Sequence, residues 1–218
     1  MDLNLLLFRS AALEQSLYKC FSVAVYDSSP RLVASKTLSD LAFEHSQAIK
    51  HLVAAGLYTS AAALLRVQYE SLVRSLWVLY VASDTQAELI ISDLTYDSAK
   101  KGSAIPMLSQ MLVAIEEKAP HAPIGMLKEF KHYSWKPLSS FVHGGIHAVN
   151  RFSRGFPAPL VHAMVVHSNG LLTIAANLGL IVSGAPPTDQ IPKIQREFRD
   201  CLPPPPGVPL PAAAEPSH

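Results

Sequence analysis

The stretch from Tyr58 to Ser83, YTSAAALLRVQYESLVRSLWVLYVAS, constrains this chain more than any other. At 100° per residue, Leu65, Tyr69, Leu72, Leu76, Leu79 and Tyr80 form one broad apolar face of a helix. Val67 and Val78 lie on nearly the opposite side, and Trp77 falls between the two sides. A helix that is apolar on two sides has to be covered on two sides, which places it centrally in a bundle. Among these residues runs a narrow polar stripe, Arg66, Glu70 and Arg74, at i, i+4 and i+8. Covered charges need partners, and Glu70 is placed to accept from both arginines.

The rest of the chain supplies helices to surround it. Leu3 to Val25 is amphipathic, and Ser29-Pro30 offers an N-cap followed by proline at the first helical position. A second helix runs from there to Ala55 and stops at Gly56, so it should form an antiparallel hairpin with the central helix. Asp84 caps a fourth helix that reaches Gly102, Pro106 starts a fifth, and a short sixth spans Ile124 to Lys131. Pro137 begins another, weakened at Gly144-Gly145; Pro157 to Val182 is long and apolar, and Asp189 to Leu202 is more polar. No alternating strand run or internal repeat is visible. The expected fold class is all-α: one bundle of about seven to nine helices over residues 1–202. Residues 203–218, PPPPGVPLPAAAEPSH, read as a disordered Pro/Ala-rich tail, with a proline-recognition ligand as the alternative.

Composition narrows the function classes. Hydrophobic residues make up 49% of the chain and charged ones 16%, enough for a substantial core. The net charge is +1 and the basic residues are scattered, so no duplex DNA footprint is present, while a short single strand or structured RNA end stays open. Cys20 and Cys201 form no metal or redox motif, which favours a reducing, cytoplasmic setting. Leu160 to Gly184 is long enough to span a membrane. His162, His167, Ser168, Asn169 and Asn177 would be costly in lipid, so we expect a buried bundle helix and no membrane contact.

Two constellations could carry chemistry. Arg66, Glu70 and Arg74 form either an ion-pair triad that registers neighbouring helices or an anion site, with an arginine holding phosphate or carboxylate and Glu70 orienting it. His143, His147, Asn150 and Arg151 share one face if their helix is continuous. Two histidines four apart can bind a metal, but no Asp or Glu lies between Glu129 and Asp189 to complete the set. His45, from the second helix, could supply a third ligand, and three histidines from two helices resemble the DinB-like metal-dependent bundles. The alternative is that Gly144-Gly145 allow close backbone passage and His143 hydrogen-bonds. We expect no metal and no cofactor.

Two pieces together, ALLRVQYESLVRSLWVLY and KPLSSFVHGGIH, resemble bacterial helical families of unknown function that carry an Arg-x3-Glu helix and a later Leu-Ser-x3-His segment. Some relatives of that type look like abortive-infection or HEPN-like proteins of phage defence and stress. The resemblance covers about Lys36 to Arg154 and implies that Arg66, Glu70 and His143 share one site. HEPN ribonucleases use an arginine followed after a few residues by a histidine, often across a homodimer. Here the nearest basic residue before His143 is Lys136, and His147 and Arg151 occur in reversed order. A nuclease would need Arg66 or Arg74 to meet His143 in space, the histidine as base and the arginine on the phosphorane. The leading expectation is a non-catalytic bundle that binds a partner or small anion at Arg66, Glu70, Arg74 and His143, with His147, Asn150 and Arg151 as further binding residues. A HEPN-like metal-independent ribonuclease or toxin stands second, a DinB-like metal bundle third.

Overall fold

The computed structural model describes residues 1–102, 105–119 and 121–204. Among them the chain forms ten α-helices and no strand. These are α1 (Leu3–Phe21), α2 (Pro30–Ala54), α3 (Tyr58–Tyr80), α4 (Asp84–Ile91), α5 (Tyr96–Gly102), α6 (Leu108–Lys118), α7 (Ile124–Val142), α8 (Ile146–Arg154), α9 (Ala158–Val182) and α10 (Gln190–Glu197). A 3-10 turn, Arg199–Cys201, follows α10. The all-α class holds, and the helix count exceeds the seven to nine expected from sequence. Of the expected tail at 203–218, residues 205–218 lie outside the described residues.

The extra helices come from breaks that propensity alone does not set. The fourth helix ends at Ile91 because Ser92 turns to extended backbone at ψ 158°. Ser83, rather than Asp84, is its N-cap; Ser83 and Gln86 bond each other's backbone N–H in a capping box. In the opposite sense, the sixth helix and the one expected at Pro137 merge into α7, with Pro137 inside it. Proline removes one N–H, and the carbonyl left over belongs to Tyr133, an exposed residue that water can serve. The first helix ends at Phe21, short of Val25.

The α2–α3 hairpin forms as the short linker requires, with α3 packed against α2, α6, α7, α8 and α9. Leu65, Tyr69, Leu72, Leu76, Trp77 and Val78 are all buried, so both apolar sides of α3 are covered. Each such side chain contributes roughly 1.5–3 kcal/mol by leaving water. Helices come close where small residues face: Ser35 and Ser75 join α2 to α3 through Oγ atoms 3.1 Å apart, and Ser75 Oγ donates to the Ser35 carbonyl at 2.7 Å. Across the bundle, a Cβ at Gly179 of α9 would lie 2.5 Å from the Cys20 carbonyl of α1, so glycine permits near-contact of two backbones. The helix α9 has the length and hydropathy to cross a membrane, yet 72% of its most apolar window is buried within the bundle. It is a core helix here.

Candidate functional site

Arg66 leaves α3 toward α7, where three groups fix it. Its Nε donates to Glu70 Oε1 at 2.8 Å, one turn along the same helix. Its Nη1 donates to Ser139 Oγ on α7. The guanidinium plane sits over the Trp135 ring, 4.0 Å from the centroid, a cation–π contact. The floor is aromatic: Tyr69 stacks on Phe130 with centroids 4.7 Å apart and donates its hydroxyl to the Leu127 carbonyl at 2.8 Å. Burial pushes the Tyr69 hydroxyl well above its ordinary pKa, so it stays a neutral donor. Trp135 and Ser139 share one face of α7 at i and i+4, which is why one helix supplies both.

The polar stripe is half-buried, as expected, but Glu70 does not accept from both arginines. Among the described residues it pairs with Arg66 alone, and Arg74 makes no ion pair or hydrogen bond. An acid four residues before a base is the better intrahelical orientation, which would favour Glu70 with Arg74. Tertiary contact overrides it, because Trp135 and Ser139 hold Arg66 against the carboxylate. Of the nearby aromatics, Trp77 is buried in the core, and Tyr133 is exposed.

The second constellation does not form. His143 is the C-cap of α7, and Gly144 takes φ +63°, the left-handed conformation that ends a helix. Ser140 closes the turn: its carbonyl accepts from Gly145 N at 2.7 Å and its Oγ from His147 N at 2.9 Å. The helix is therefore interrupted between His143 and His147, and the face expected to carry His143, His147, Asn150 and Arg151 is split between α7 and α8. His143, His147 and Asn150 are exposed and Arg151 is half-buried. His143 does stand one turn beyond Ser139, the residue that Arg66 contacts. His45 is half-buried on α2, where burial lowers its pKa. No group of three or more His, Cys, Asp or Glu side chains among the described residues could hold a metal ion, so the proposed His45, His143 and His147 set is not assembled.

A second polar centre was missed from the sequence. Lys50 of α2, 8% exposed, donates to Glu14 Oε2 of α1 at 2.8 Å and to Ser46 Oγ at 2.9 Å. Gln47 Nε2 holds the other Glu14 oxygen at 2.7 Å. Ser46 Oγ lies 3.1 Å from Ser168 Oγ of α9, which donates to Gln68 Oε1 of α3 at 2.8 Å. Burial lowers the Lys50 pKa and the adjacent Glu14 opposes that shift. A serine beside a lysine of lowered pKa is the pattern of an activated nucleophile. Ser46 and Ser168 are fully buried, however, and Lys50 is already committed to a carboxylate, so the centre ties four helices together. Beside it, Asn169 Nδ2 donates to Ser10 Oγ and the Cys201 carbonyl, at 2.8 and 2.9 Å. Burial, then the Asp200 carboxylate, push the Cys201 thiol up to about 11, which keeps it protonated at neutral pH. The signal available beforehand was Ser46 and Lys50 at i, i+4, and Ser168-Asn169 inside an otherwise apolar helix.

Comparison with known proteins decides the chain's kinship. The sequence profile of a family of unknown function, DUF6988, matches residues 39–204. The chain belongs to that family. The span shared with DUF6988 contains α3 and α7, and with them Arg66, Glu70, Trp135 and Ser139; it begins within α2 and so omits α1 and Glu14. Among curated proteins and solved structures, nothing matches.

Proposed function

We propose that this chain is a non-catalytic binding bundle that captures an anionic group of the phosphate class at the α3–α7 face. The observation that carries this reading is Arg74, a half-buried guanidinium with no counter-ion among the described residues, on the same stripe as Arg66. An arginine held on the bundle with no partner keeps its donors available to an anion. Arg66 adds a fork immobilised by Glu70, Ser139 and Trp135, which costs little further side-chain entropy on binding. The test is calorimetric titration with inorganic phosphate of wild type, Arg66→Ala and Arg74→Ala. Phosphate at about ten times its Kd should raise wild-type stability by about 1.4 kcal/mol. Arg74→Ala should keep its unliganded stability within about 0.5 kcal/mol and lose binding at least tenfold. Equal phosphate affinity in wild type and Arg74→Ala would overturn the reading.

One observation favours a second reading, a HEPN-like metal-independent ribonuclease: Arg66 contacts Ser139 one turn from exposed His143. EDTA-treated protein incubated with total bacterial RNA, beside Arg66→Ala and His143→Ala, discriminates. Cleavage abolished in both variants would replace binding with catalysis.

A further inference from the structure

Charge and exposed apolar surface are distributed unevenly along the bundle, and the unevenness is complementary. The helix α8 buries little but Ala148. Ile146, Val149 and Phe152 project into solvent, Phe152 with 82% of its surface exposed. Around them stand Arg151, Arg154 and His147, in a stretch with no Asp or Glu from residue 130 to residue 188. Neither Arg151 nor Arg154 has an ion-pair partner among the described residues.

The α4–α5 corner is the inverse. No Lys or Arg occurs from residue 75 to residue 99, and Asp84, Glu88, Asp93 and Asp97 fall inside that window. Asp84 pairs with Arg31 at 2.8 Å, while Glu88, Asp93 and Asp97 have no ion-pair partner among the described residues. Lys100 and Lys101 follow at the end of α5. Leu94 and Tyr96 are 91% and 85% exposed beside these acids.

The two patches cannot meet within one molecule. The helix α8 lies against the start of α3, where Phe156 just beyond it contacts Tyr58 with ring centroids 5.5 Å apart. The α4–α5 corner follows the end of the same helix at Tyr80. Twenty-three residues of α-helix separate them by about 34 Å. We propose that the basic, apolar face of α8 docks on the acidic, apolar α4–α5 corner of a second copy of this chain. Aromatic side chains on each face, Phe152 and Tyr96, supply apolar anchors, and the opposed charges set register. Because different patches meet, the copies pair either antiparallel, with this contact made twice, or head to tail in an open series.

The test is sedimentation velocity of the full chain over a concentration series at low and high salt. Wild type should self-associate, less so at high salt. Arg151→Glu with Arg154→Glu should weaken association at least tenfold, and so should Asp93→Lys with Asp97→Lys. Mixing these two double variants should restore it, because each charge-reversed patch then meets its complement. Circular dichroism checks that both variants keep the helical content of wild type; a variant that lost it would be replaced by Phe152→Ser, for which the same weakening is required. Wild type monomeric up to about 1 mM would overturn the proposal. So would association indifferent to the substitutions, or failure of the mixture to associate. Weakened binding of RNA or of anionic vesicles by an otherwise monomeric protein would overturn it too, and reassign the α8 face to that partner.

Discussion

Two ion pairs of the same length, one joining α1 to α2 and one lying along α3, sit in different surroundings. Lys50–Glu14 and Arg66–Glu70 are each 2.8 Å. Lys50 and Glu14 come from different helices, and each makes one further hydrogen bond, Lys50 to Ser46 and Glu14 from Gln47. Arg66 and Glu70 come from one helix, are capped by Trp135 and Ser139, and leave Arg74, one turn beyond Glu70, with no ion-pair partner among the described residues. Residue type does not separate the two centres. Completeness does: in the first cluster both charges are paired across helices, and beside the second a neighbouring arginine stays without a counter-ion among the described residues, which is where the proposed anion would bind.

The largest test of that contrast is Glu14→Ala. It strands Lys50 in the bundle, and removing one partner of a buried pair typically costs about 3–5 kcal/mol. Urea unfolding should show a loss of that size, with a helical far-ultraviolet spectrum retained below the transition. The pH dependence carries a sign. Lys50 titrates below its ordinary 10.5 in the folded state. Below the folded pKa both states hold the proton and the full cost of burying the charge is present. Between the folded pKa and 10.5 the unfolded chain binds more protons, so stability from this group rises with pH. Removing Glu14 lowers the folded pKa further and widens that window downward. The penalty of Glu14→Ala should therefore shrink as pH rises toward 10.5. A loss under about 1 kcal/mol at neutral pH would mean Lys50 reaches water, and the closed centre would not be closed.

Gly179→Ala probes the same side through packing. Its methyl group would meet the Cys20 carbonyl at 2.5 Å, a backbone atom with no rotamer to move. The α1–α9 approach would have to open, at about 1–3 kcal/mol. Thermal unfolding should register it, and Glu14→Ala combined with Gly179→Ala should be less than additive, because opening α1 also admits water to Lys50. Strict additivity would uncouple the two.

Much of this was legible in the chain. The two apolar sides of Tyr58–Tyr80 follow from periodicity, the hairpin turn at Gly56 from glycine at a helix end, and the buried place of α9 from its polar content; all are local facts. The stripe Arg66, Glu70, Arg74 was legible as a covered feature for the same reason. What could not be read was which partner each charge takes, since that depends on residues 73 positions away, as Ser139 is from Arg66. The Lys50 centre draws on α1, α2, α3 and α9, and no single window contains it. Pro137 misled in the other direction: a proline usually starts or stops a helix, but packing of Leu127, Phe130 and Leu138 carries α7 across it. At Gly144-Gly145 the local signal was right, and it removes the continuous helix on which the His143–His147 pair depended.

The smallest expected effect is also the sharpest on function. Glu70→Gln keeps an oxygen for Arg66 Nε and removes the negative charge, so stability should fall by only about 0.5–1 kcal/mol. The same change deletes the one carboxylate that neutralises the stripe, leaving Arg66 and Arg74 both uncompensated. If the α3–α7 face binds phosphate, calorimetry should find it bound several-fold more tightly by Glu70→Gln than by wild type. The Glu14→Gln variant offers the matched control, because the Lys50 centre has no opening to an anion and should show no gain. Tighter binding at Glu70 alone would separate the two centres by function as well as by burial. Unchanged affinity there would place Arg66–Glu70 with Lys50–Glu14, as a second device for holding helices in register.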